Sequence, residues 1–170
     1  MYEIFTRGEQ IISNNNIIFT KMKSNDNERL NALEMIRFDL LYETKKYSFS
    51  ECFPHIIKLI QTSKNPKILD SATWCLRTAV EVTPDNVEMF MSSSTIEIIS
   101  RIFNQQISKS STEHTIHILN AMSKYYADAL SNSINYFQIL QYINDNQNSD
   151  IESFCLSTFG KLYSSSYRIM

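Results

Sequence analysis

Glycine is almost missing from this chain. Gly8 and Gly160 are its only two glycines in 170 residues, and neither belongs to a cluster. A phosphate-cradling loop or a dinucleotide-binding turn needs several glycines, so that backbone amides can approach an oxyanion without a side chain intervening. Neither can be written here. Sandwiches and barrels with tight hairpins also call for Gly or Asn-Gly at regular intervals, because their favoured turns need positive φ. With Pro54, Pro66 and Pro84 as the only prolines, helices are the remaining economical choice. Apolar residues make up 43% of the chain and charged ones 20%, a balance that supports a core and argues against disorder. The length fits one domain, residues 1–170.

An internal repeat narrows the choice further. Three segments share one apolar spacing: Phe53 to Ile60, Ile96 to Phe103 and Tyr136 to Ile143, with Ile60, Ile102 and Ile143 falling 42 and 41 residues apart. Between them lie Ala32 to Leu41, Ala72 to Val82, Thr115 to Met122 and Ser153 to Leu162, whose matching residues are Ile36, Leu76, Leu119 and Leu156. Apolar residues recur at three and four within each segment, as in Ala72, Leu76, Ala79 and Val80, which predicts one buried helical stripe. The breaks 62–66, 104–112 and 144–150 are rich in Ser and Asn, residues that cap a following helix. Pro84 should stop the helix before it.

A period near 42 built from helices is the spacing of armadillo and HEAT solenoids. The expected fold is therefore all-α, an armadillo-type right-handed superhelical solenoid of about three to four repeats. The expected boundaries are an N-terminal helical cap over about 1–23, repeats over 24–67, 68–109 and 110–150, and a partial repeat over 151–170. An uncapped last repeat would expose apolar surface, so self-association through the C-terminal end is one expected contact.

Over about residues 20–160 the chain resembles the armadillo repeats of the importin-alpha family, adaptors for cargo with nuclear-localisation signals. Ser24 to Ala32, Arg37 and the pair Leu40-Leu41 look like that family's first repeat, and Pro54 falls where the family has a proline opening its third helix. Ser71-Ala72-Thr73-Trp74-Cys75-Leu76-Arg77-Thr78 resembles the family's Ala-Trp-Ala-Leu-x-Asn segment. The resemblance implies slots for lysine stems at the tryptophan place, held here by Trp74, His117 and Phe154. It implies contacts to a peptide backbone at the asparagine place, held by Thr78, Ala121 and Thr158. One tryptophan and none of the asparagines survive, and the family's basic carrier-binding segment has no counterpart before residue 20. An importin-type carrier is the further partner that the resemblance implies.

Trp74 can be read as a lysine slot through cation–π attraction or as a core aromatic, with the acids Glu81, Asp85 and Glu88 nearby to attract a basic peptide or simply to face solvent, and with Arg77 and Thr78 joining Trp74 and Glu81 in the recognition that the resemblance implies. His114 and His117 sit three apart but lack a third ligand at a useful spacing, so no metal site is expected. Cys52, Cys75 and Cys155 form no short pair and read as reduced core thiols. No nucleophile elbow or particular acid pair stands out, so neither an enzyme nor a cofactor is expected. A net charge of −2 disfavours nucleic acid. Tyr125-Tyr126 and Tyr136-Phe137 read as helix packing rather than base-stacking platforms. No run of about 18 apolar residues predicts membrane insertion, and the expected location is the cytoplasm, the nucleus or both. The leading functional expectation is noncatalytic binding of an extended, basic peptide or protein segment, as in an importin-alpha cargo adaptor. The alternative is a general armadillo scaffold with a decayed cargo groove.

Overall fold

The computed structural model describes residues 7–105, 107–145 and 149–166, so the expected end at Met170 and the stretch before Arg7 lie outside the described residues. The described residues are all-α, with no strand among them. The helices are α1 (Arg7–Met22), α2 (Asp26–Tyr42), α3 (Phe49–Thr62), α4 (Pro66–Val82), a 3-10 helix (Pro84–Phe90), α5 (Ser93–Gln105), α6 (Lys109–Ser131), α7 (Tyr136–Asp145) and α8 (Ser149–Ser166). The chain divides into two compact units, Met1–Val82 and Thr83–Met170.

Short polar side chains set the helix starts, as predicted for Asn65 and Ser108 by their positions in the breaks. Asn25 Oδ1 accepts from Glu28 N at 3.1 Å, Asn65 Oδ1 from Lys67 N at 3.0 Å, Ser108 Oγ from Ser111 N at 3.1 Å and Asn135 Oδ1 from Phe137 N at 3.0 Å. Each bond satisfies an amide that has no partner inside its own helix. Pro66 opens α4, where a missing amide costs nothing. Pro84 follows the end of α4 and opens the 3-10 helix. Pro54 departs from expectation. It lies inside α3, which already starts at Phe49. The buried stripe Cys52, Phe53 and Ile56 begins before the proline, and Pro54 itself faces solvent, so the burial pattern overrides the local preference.

In the first unit α1 packs on α2 and on α3, and α4 packs on α2 and on α3. Two helical hairpins thus lie side by side. The small residues Ala32 on α2 and Ala72, Cys75 and Ala79 on α4 are fully buried, as are Ile36, Ile56, Ile68 and Leu76. Each large aliphatic side chain removed from water contributes about 1.5–3 kcal/mol. The loop between α2 and α3 holds Glu43 and Lys45 at φ 48 and 53, the left-handed region. It is tied down from two sides. Asp39, buried in the last turns of α2, accepts from the Thr44 hydroxyl, from Lys46 N at 2.7 Å and from Tyr47 N at 3.2 Å. Buried Asn15 of α1 accepts from Ser48 N at 3.1 Å and donates to Glu51 Oε2 at 2.9 Å, while Asn14 donates to Lys46 O at 3.1 Å.

In the second unit the 3-10 helix and α5 pack on α6, α6 packs on α8, and α7 packs on α8. Phe90, Phe103, Ile99, Ile102, Ile118 and Leu119 fill its interior. Asn104 joins the end of α5 to the α6–α7 turn: its carbonyl accepts from Gln138 Nε2 at 2.6 Å, and its side chain donates to Ser133 O at 3.4 Å. Helix α6 bends at Tyr126, whose φ and ψ of −134 and 33 are not helical. The repeat register fails on α8. Leu156, matched in sequence with buried Ile36, Leu76 and Leu119, is 52% exposed. The buried stripe is instead Ile151, Cys155, Thr158 and Leu162, because that is the face turned to α6 and α7.

Candidate binding face

In the first unit the sequence-selected residues lie on α4, and the stacking of α2 beside α4 decides their surroundings. Trp74 is 41% exposed, too open for a core aromatic. One face of its indole is already covered. The Arg37 guanidinium of α2 sits 3.8 Å from the ring centroid, the arrangement in which a cation is held by the ring's negative face. Arg37 is fixed in turn by Glu34, to which it donates from Nε at 3.1 Å and again from its terminal nitrogen. On α4 itself, Arg77 Nε donates to Glu81 Oε1 at 2.8 Å, so the arginine is partly neutralised and the acid is not left alone. Thr78 is buried and turns its hydroxyl to Trp74 O at 3.0 Å. That bond stays within its own helix and reaches no ligand. Helix α2 also exposes Phe38 and Tyr42, their rings 4.3 Å apart.

The other selected residues belong to the second unit, on α6 and α8. His117 is buried and its ring lies 4.2 Å from that of Phe154. Positions matched by the repeat therefore meet across α6 and α8, but they pack against each other. Ala121 is half-buried and offers no polar group. Thr158, buried, donates to Phe154 O at 2.8 Å. The polar centre of this face is a residue that the register passes over. Asn120 Oδ1 accepts from Lys161 Nζ at 3.1 Å and from Thr158 Oγ1 at 3.5 Å. Burial, followed by the charge of Lys124, pulls the Lys161 pKa below its ordinary value. A fixed ammonium with a second cation near it gives this face the wrong sign for a lysine-rich ligand.

Two residues that the sequence did not single out as site residues, Arg37 and Asn120, thus define the chemistry. Asn120 could have been found as a polar residue inside the apolar run Ile116 to Leu119. Arg37 could have been found by carrying the register back one repeat, which sets Glu34 at the place of Trp74 and Arg37 at that of Arg77.

All three cysteines are free and buried. Burial, with help from the Glu51 and Asp39 charges, pushes the Cys52 thiol up to about 12; burial pushes Cys155 up to about 12 and raises Cys75 as well. Thiolate, the reactive form, is therefore scarce at neutral pH. Among the described residues no three His, Cys, Asp or Glu side chains gather as a metal site, and no helix is long and apolar enough to cross a membrane. No protein-family model, curated protein or solved structure matches the chain.

Proposed function

We propose that the chain is a noncatalytic protein-binding module of armadillo-type helical repeats, with its contact face on α2 and α4 and its lysine slots closed. The observation that carries this reading is Arg37 over Trp74. An exposed tryptophan beside an anchored arginine has the residue types of an interface hot spot. A lysine stem stacking on that face would have to displace Arg37 from the ring and break its bonds to Glu34. Paired helical hairpins in each unit support the repeat architecture. The second reading is an importin-alpha-like cargo adaptor acting with a carrier in the cytoplasm and nucleus. The exposure of Trp74 and the nearby acids Glu34 and Glu81 favour it.

Selection from a displayed random-peptide library separates the two. On the first reading the enriched peptides carry no lysine runs, and their affinity falls about 30-fold, or ~2 kcal/mol, in Trp74→Ala. Enrichment of lysine runs with salt-sensitive binding would transfer the assignment to the cargo adaptor. Peptides indifferent to Trp74→Ala would remove this face as a binding surface.

A further inference from the structure

A second site lies away from Trp74, where α1 ends and α3 passes it. There a cleft of about 500 Å³ is lined by Lys23, Arg29, His55 and Lys58, with Met22 and Leu59 among its apolar walls and no acid in its lining. This is notable in a chain whose net charge is −2. The cations differ in how far they are neutralised. Arg29 donates to Asp26 Oδ1 at 3.0 Å and to Met22 O at 3.3 Å, so its charge is offset and its position fixed. Asp26 is further engaged by Asn65 Nδ2 at 2.8 Å, and the neighbouring Glu28 is taken by Lys21. Lys23 and Lys58 have no acidic partner among the described residues.

We propose that this cleft binds a phosphate monoester carried on a small organic body. Two unmatched ammonium groups balance the charge of about −1.5 to −2 on such a group at neutral pH. The volume exceeds what an inorganic anion fills, and the walls of Met22 and Leu59 suit the carbon skeleton next to the phosphate. His55, stacked on Phe19 at 4.3 Å, supplies a third donor. Burial first, then Lys23 and then Lys58, holds its pKa below the ordinary histidine value. An anion between these groups would reverse the two charge effects and raise it again.

The ligand could come as a free small molecule or as a phosphorylated side chain of a protein. The test titrates the full chain with O-phosphoserine, with a phosphoserine peptide and with the same peptide unphosphorylated, following the His55 ring protons by NMR. Both phosphorylated ligands should shift these protons, and the His55 pKa should rise. Dissociation constants should grow at least tenfold in Lys23→Glu and Lys58→Glu and stay unchanged in Lys64→Glu, an exposed lysine outside the cleft. Tighter binding of the peptide would identify a protein as the source, and equal binding a small molecule. The proposal fails if no His55 shift occurs up to ~10 mM O-phosphoserine, a concentration that would reveal affinities weaker than millimolar. It also fails if the unphosphorylated peptide binds as well, or if Lys64→Glu weakens binding as much as the cleft variants do.

Discussion

Leu76→Ala should destabilise the chain by about 2–5 kcal/mol, the range for removing a fully buried leucine from a packed core. Leu76 is 0% exposed on α4, and α4 packs on both α2 and α3. Few neighbours can collapse into the gap, because the helix backbones are held at their spacing by the small residues Ala72, Cys75 and Ala79. Leu156→Ala is the matched control. The repeat gives both leucines the same place, yet Leu156 is half exposed, so its loss should stay below about 1 kcal/mol. Denaturant midpoints at unchanged slope measure both. Equal losses would mean that sequence register, and not the packing described above, governs burial on α8.

Asp39→Ala should cost about 2–4 kcal/mol, through the charge-assisted bonds that it makes to the α2–α3 loop. Its carboxylate takes the Thr44 hydroxyl and the amides of Lys46 and Tyr47. Without it, two amides lose their acceptor while Glu43 and Lys45 must still hold positive φ, a conformation that costs a residue with a side chain about 1–2 kcal/mol. Asp39→Asn should recover only part of the loss, since its amide nitrogen would face a backbone donor. Hydrogen exchange at Lys46 and Tyr47 supplies the local readout. Protection there should fall in Asp39→Ala well beyond the global change in stability, and unchanged protection would show that the loop is held by Asn14 and Asn15 alone.

Much of the helical layout was legible because it rests on local chemistry. Asn65 and Ser108 cap helices through their own short side chains, and Pro84 ends one by lacking an amide. Those signals act within a few residues. Pro54 misled because the resemblance gave it the place that opens a helix, whereas the buried stripe starts before it and α3 begins at Phe49. Leu156 misled because a repeat is a relation between sequence positions, whereas burial depends on which helix lies opposite. The binding face was the least legible part. Trp74 could be found by its type and register, but whether its ring is open depends on Arg37, 37 positions earlier, and on Glu34 holding that arginine in place. Asp39 was hidden similarly, since a buried carboxylate looks like any other acid until the loop folded over it is seen.

The central claim is that the tryptophan face is filled by the chain's own arginine, and NMR of the Arg37 side chain tests it most directly. A guanidinium 3.8 Å from an indole centroid lies in the shielding cone of the ring, so the Arg37 Nε proton and the neighbouring methylene protons should appear well upfield of ordinary arginine positions. They should return to those positions in Trp74→Ala, a change that leaves Glu34 in place. Arg37 resonances at ordinary positions in the native chain, unmoved by Trp74→Ala, would contradict the account and leave the indole open to a ligand's cation.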